Sequence, residues 1–266
     1  EAYLGLLTGS GKKWWSTVIL TAGSNAQAEL YRQQIRQRQQ HNQLPPGVSW
    51  HVVADPEGCR IGSGGATLGA LRALGRTAPA WWRTNRVLII HGGGESRRLP
   101  EYSLTGKLFG ILPEQTPWGE NSTVFDETLV LSTLWLERFT GGLALASGDV
   151  VLTFHESGLD WDQPGVVGAA IAQPPEVGAR HGVYVLGEEG RVYEFLQKPH
   201  PSAVKAAGGM LADGQVALDI GLLHLDPDLS AKLSGLATGL APIPFLDLYQ
   251  DFTLALTGQT ACPLPR

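Results

Sequence analysis

The chain has 266 residues, 43% hydrophobic and 17% charged, with a formal net charge of −5. That length admits one large α/β domain or two small ones, and the acidic balance argues against a nucleic-acid binder, which usually shows a basic face. The longest apolar runs, such as Val87-Leu88-Ile89-Ile90, are far too short to cross a bilayer.

No secretory leader pattern is expected, and a first residue of Glu1 is expected of a piece of a longer polypeptide. The two cysteines, Cys59 and Cys262, suit free thiols in a reducing cytoplasm, and no Cys/His spacing matches a zinc site.

In chain order, residues 16–21 read as a buried strand ended by Ala22-Gly23-Ser24, and 26–40 as a polar helix rich in Gln and Arg. Residues 50–54 form a second expected strand. A glycine-rich loop over 55–67 then runs into a helix over 67–74. Residues 86–91 are a third strand, 123–139 a helix and 143–147 a strand ending at Gly148-Asp149. Beyond them come short strands at 166–171, 182–186, 192–195 and 215–224, and helices at 227–236 and 245–256. Alternating strands and helices predict a mostly parallel, helix-covered sheet, with antiparallel material in the second half. In such sheets ligands bind beyond the carboxyl ends of the strands, so the loops after residues 54, 91 and 147 are expected to converge.

The first loop holds Arg60, Gly62, Ser63, Gly64, Gly65, Ala66 and Thr67. Glycines let a backbone approach a ligand, and a helix opening near Thr67 would aim free N–H groups at an anion. A tight strand-to-helix turn with no ligand is an equal reading. A dinucleotide fingerprint fails because Thr67 stands where its third Gly belongs. A Walker loop fails because Leu108 follows Gly106-Lys107 and Glu101 replaces its first Gly.

The second loop, His91 to Pro100, holds Gly93, Gly94, Ser96, Arg97 and Arg98, with Gly106-Lys107-Leu108-Phe109 soon after. Amides that cradle oxygens and cations that neutralise shifting charge are what a polyphosphate needs. Lys107, one of six lysines and wedged between a glycine and an apolar pair, is poorly explained as surface decoration. Asp149, after a buried strand and a Gly, stands where a hard-cation ligand would, or caps a turn. Asp219 interrupts an apolar strand and must be paired, hydrogen-bonded or metal-bound. Lys198 follows a strand and Gly182, after His181, opens one, with room for a flat ring; these three are equally plain scaffold.

Together, Asp55-Pro56-Glu57-Gly58 with Arg60 to Leu68, and His91 to Arg98 through Phe109, resemble the L-fucose-1-phosphate guanylyltransferase family, the nucleotidyl-transfer half of bifunctional fucokinase/GDP-fucose pyrophosphorylases. Ser147 to Val150, Arg180 to Val183 and Asp247 to Phe252 support the similarity, which spans residues 16–255. The resemblance implies a glycosyltransferase-A-like (Rossmann-like) nucleotidyltransferase fold in a single catalytic domain over 1–266. It implies that GTP meets Arg60, Gly62 to Thr67, Gly93, Gly94 and Ser96. Arg98 and Lys107 would be the catalytic phosphate contacts, and Asp149 and Asp219 the Mg2+ ligands. His181, Gly182 and Lys198 would meet the sugar phosphate. Family members often continue into a β-helix and a sugar kinase, but no Pro-x-x-x-Gly-Leu-Ser-Ser kinase loop occurs here. GTP and a sugar 1-phosphate are thus the expected partners, without nucleic acid or membrane. Another sugar or base, or a non-catalytic nucleotide-sugar scaffold, are the rival readings.

Overall fold

A computed structural model describes residues 14–57, 59–92, 102, 105–136, 140–152, 161, 163–248 and 251. The chain is mixed α/β and divides into two compact units. The first draws on Glu1–Arg60, Ala66–Val167 and Leu223–Ile243; the second on Ile61–Gly65, Gly168–Leu222 and Pro244–Arg266.

In the first unit the elements run β1 (Thr17–Ala22), α1 (Asn25–Gln40), β2 (Ser49–Ala54), α2 (Gly62–Leu74, whose first turn belongs to the second unit), α3 (Pro79–Trp82) and β3 (Arg86–His91). Then follow β4 (Ile111–Gln115), β5 (Asn121–Thr123), α4 (Val124–Trp135) and β6 (Gly142–Ser147). Four strands make a parallel sheet in the order β2-β1-β3-β6. The apolar runs predicted this: every β1 residue is buried, as are Val87 to Ile90 and Leu143 to Ala146, the mark of strands covered on both faces. Helix α1 starts where Ser24 accepts a hydrogen bond from the Gln27 amide, and it buries Gln27, Ala28, Tyr31 and Ile35 at helical spacing. A capping box between Thr123 and Asp126 starts α4. The helix read as 123–139 is α4 over Val124–Trp135, with Thr123 at the end of β5 as its N-cap and Leu136 as its C-cap; residues 137–139 lie outside the described residues.

The second unit holds β7 (Val166–Gln173), α5 (Pro175–Gly178), β8 (Gly182–Leu186), β9 (Val192–Gln197), α6 (Pro201–Ala206) and most of β10 (Val216–Leu225). Strand β8 lies antiparallel to both β10 and β9, and β7 pairs with β10. Val183, Val204 and Val216 pack on one side of these strands, and Tyr184, Phe195 and Ala217 on the other. Helix α7 (Pro227–Gly239) returns to the first unit, capped by Asp226, which accepts from the Leu229 amide. Among the described residues no helix is long and apolar enough to cross a membrane.

Two expectations change. Helix α2 begins at Gly62, not near Thr67, so the glycine run is its first turn. The helix expected over 245–256 starts later: residues 245–247 are not helical, and there the Leu246 amide donates to the Ile61 carbonyl, while Leu248 and Asp251 are helical; residues 249, 250 and 252–256 lie outside the described residues.

Candidate active site

The parallel register sets Ala22 beside Ala54, Thr21 beside His91, and His91 beside Ser147, so the four strands finish level. From β1 the chain steps outward to β2, then returns to place β3 on the other side of β1. Adjacent strands whose connections leave in opposite directions open a crevice at their carboxyl ends, here between β1 and β3.

At that crevice His91 ties the strands together. Its Nδ1 lies 3.2 Å from Thr21 Oγ1 and its Nε2 3.1 Å from Thr67 Oγ1. A neutral imidazole has one N–H donor and one bare acceptor, so one threonine accepts and the other donates. Burial pulls this histidine down to about 4, which keeps the ring neutral at ordinary pH. The Thr67 hydroxyl, expected to face nucleotide, is turned inward: the residue is 1% exposed.

The same sheet end brings Lys107 and Asp149 together. Lys107 Nζ donates to Asp149 Oδ2 at 3.1 Å, and the Ser147 hydroxyl to Asp149 Oδ1 at 2.8 Å. The lysine and aspartate side chains are 28% and 30% exposed, open enough to meet a ligand. Each is held by its neighbours. Gly148 donates to the His91 carbonyl at 2.8 Å, and any Cβ there would strike that oxygen, so only glycine lets Asp149 follow β6 so near β3. Leu108, after Lys107, is fully buried, and its carbonyl accepts from the Phe125 amide at 2.7 Å. Arg60 lies at the end of β1, its guanidinium against Gly23 beside a cavity also lined by Ser24, Gln27 and Glu29. Gly93, Gly94, Ser96 and Arg98 lie outside the described residues.

The second unit assembles another set. The Lys198 amide donates to the His181 carbonyl at 2.8 Å, and Gly182 pairs with Gln197. Gly182 has no room for a Cβ because the Phe195 ring lies against it; the flat ring anticipated at this glycine is the chain's own. A Cβ there would also approach Asp219 Cβ to 3.3 Å, so His181, Gly182, Lys198 and Asp219 share one corner. Lys198 has φ of +49°, rare for a residue with a Cβ and a frequent mark of functional positions. Asp219, 8% exposed, accepts from the Tyr184 hydroxyl at 2.9 Å and the Gly221 amide at 3.0 Å. These satisfy the pairing that its burial demands.

The glycines of Gly62 to Gly65 meet protein. The Gly65 amide donates to the Leu246 carbonyl at 3.1 Å, and the Leu248 amide to Ser63 Oγ at 3.0 Å. A Cβ at Gly62 would collide with the Leu246 carbonyl, and one at Gly65 would come within 2.9 Å of the Pro244 carbonyl. The close backbone approach these residues permit is made to residues 244–248.

Among the described residues no cluster of three or more His, Cys, Asp or Glu side chains could hold a metal. Asp149 with the Ser147 hydroxyl still fits the habit of Mg2+, which takes one or two carboxylates and completes its shell with waters and substrate phosphates. Asp219 fits less well, with one oxygen already holding two donors. Tyr31 was not legible as a site residue, since a helical Tyr carries no motif, and His91, though it opens the second loop's motif, gave no sign that it bridges two threonines.

The open parallel sheet and its cation–carboxylate pair define an α/β domain with polar groups where such sheets bind ligands. The chain belongs to the fucose pyrophosphorylase domain family, which matches residues 80–263. It is 32% identical over 200 residues to fucose-1-phosphate guanylyltransferase of Mus musculus, covering 70% of this chain and 33% of that protein. Identity to fucose-1-phosphate guanylyltransferase of Homo sapiens is 30% over 235 residues, covering 81% and 38%. The bifunctional fucokinase/GDP-fucose pyrophosphorylase of Arabidopsis thaliana is 28% identical over 283 residues, covering 91% and 27%. The chain thus spans about a third of the length of these relatives.

Proposed function

We propose that this chain transfers the guanylyl group of GTP to L-fucose 1-phosphate in the cytoplasm, releasing pyrophosphate and GDP-L-fucose, on a glycosyltransferase-A-like nucleotidyltransferase fold. Family membership supports the reaction, and the Lys107–Asp149 pair at 3.1 Å beside the strand ends is the observation that carries the site. A sugar phosphate oxygen attacks the α-phosphorus of GTP; that P–O bond forms as the bond to the bridging oxygen of pyrophosphate breaks. A phosphate monoester has its second pKa at about 6, so the attacking group is largely dianionic and needs no general base. His91 suits this scheme, since both its nitrogens are engaged by threonines.

The residues then align and neutralise. Lys107 and Arg98 contact the triphosphate, Arg60 flanks the nucleotide with Gly93, Gly94 and Ser96, and His181, Gly182 and Lys198 receive the sugar phosphate. Asp149, with Ser147 beside it, would hold Mg2+, whose chemistry is to offset phosphate charge.

The test is pyrophosphate release from GTP and L-fucose 1-phosphate with and without Mg2+. Asp149→Asn should slow it by about a hundredfold or more while leaving the thermal midpoint unchanged. Wild-type turnover in that variant would remove Asp149 from the metal role. A preference for another triphosphate or sugar 1-phosphate in a panel would overturn the specificity. Tight GDP-L-fucose binding without turnover would make the chain a scaffold.

A further inference from the structure

Helix α1 buries two polar heads where apolar side chains would pack at less desolvation cost. Gln27 is 8% exposed and Tyr31 fully buried, one turn apart on the same face. Both reach backbone at the strand ends. Gln27 Oε1 accepts from the Gly23 amide at 2.7 Å, just past β1, and the Tyr31 hydroxyl donates to the Gly92 carbonyl at 3.3 Å, just past β3. Both also meet Gly106, the residue before Lys107. Gly106 has φ of +73°. A Cβ on it would fall on the Tyr31 hydroxyl and lie 2.6 Å from Gln27 Nε2. Three residues later, Phe109 stacks edge-on to the Tyr31 ring at 5.2 Å, and Arg38 of the same helix lies over Phe109 at 5.1 Å.

We propose that Tyr31 and Gln27 are positioning residues for Lys107: they lock Gly106 against the ends of β1 and β3 and so hold the lysine ammonium beside Asp149. A hydroxyl and a carboxamide suit the task because each is itself fixed by a directed bond to backbone, at Gly92 and Gly23, so the surface against which Gly106 packs cannot shift. Burial raises the Tyr31 phenol, so it stays a donor. The inference rests on Lys107 being a phosphate contact in the proposed transfer.

A double-mutant cycle on turnover of GTP and L-fucose 1-phosphate tests it, using Tyr31→Phe, Lys107→Met and the two combined. Tyr31→Phe should lower kcat about tenfold with the KM for GTP within about twofold, as expected when a contact made in the transition state is misplaced. In the Lys107→Met background the same change should alter kcat by less than about twofold, because its effect passes through the missing lysine. A purely structural role would lower the melting temperature and cost the same factor in both backgrounds, and that result overturns the proposal while leaving the transfer reaction standing. Wild-type chain with no turnover on any triphosphate overturns the reaction and this inference with it. Gln27→Ala in the same cycle replaces Tyr31→Phe should the latter fail to fold, and additive losses there count equally against the proposal.

Discussion

His91 and Asp149 sit at the ends of strands in register two positions apart from one another, yet different forces hold them. His91 is kept neutral by burial, with its folded value at about 4 against about 6.5 when unfolded. Between those values the unfolded chain binds the extra proton, so this contribution is complete above pH 6.5 and declines as the pH falls toward 4. We expect urea unfolding to show up to about 3 kcal/mol lost over that range, and His91→Gln to flatten the dependence. Parallel pH profiles in the two proteins would refute the assignment. The Lys107–Asp149 pair is half-open, and such pairs contribute about 0–1 kcal/mol. Its removal should therefore change activity far more than stability.

Arg38 and Asp126 join α1 to α4 through two bonds, at 3.0 and 3.1 Å, with both side chains only 12% exposed. The guanidinium also covers Phe109 and Phe125. Arg38→Met should cost about 3 kcal/mol in chemical unfolding, because it leaves Asp126 buried without its cation; a loss under about 1 kcal/mol would contradict this. The first turn of α2 depends on a different contact. Gly62 has φ of +71° and no space for a Cβ, so Gly62→Ala should release residues 244–248, read as faster amide exchange at Leu246 and Leu248. Unchanged protection there would count against the clamp. That turn also explains a misreading. Glycines are poor helix formers, so the sequence suggested a loop to Thr67, while the Leu246 carbonyl that accepts from Gly65 comes from a distant segment no local pattern announces. Strands β3 and β8 matched to the residue because their apolar runs end at His91, Gly182 and Gly187. Strand β4 was missed because four of its five residues are exposed and one is Pro113.

Across the whole molecule, alternating apolar runs and helices were enough to foresee a parallel sheet and the level at which its strands end. That Lys107 and Asp149 meet at one sheet end was legible in outline, since each is a charge beside a glycine and an apolar run, but their ion pair was not. The partners of Thr67 and Asp219, namely His91 and Tyr184, were not, since such pairings are set by tertiary contact. A bound triphosphate should register on the entire fold: GTP at a hundred times its Kd adds about 2.7 kcal/mol of stability. For a chain of this size that is a rise of about 5–10 °C in the melting temperature, and an equal rise with UTP would deny guanine selectivity.

The clamp on Gly62, Gly64 and Gly65 bears on how damaging variants in this chain should be sorted. A screening hit at one of these glycines would deplete the protein in cells, leaving the surviving fraction near its ordinary specific activity. An allele at Asp149 would accumulate to full abundance and stay inert. Comparing immunoblot intensity with activity per molecule would separate the two kinds of defect.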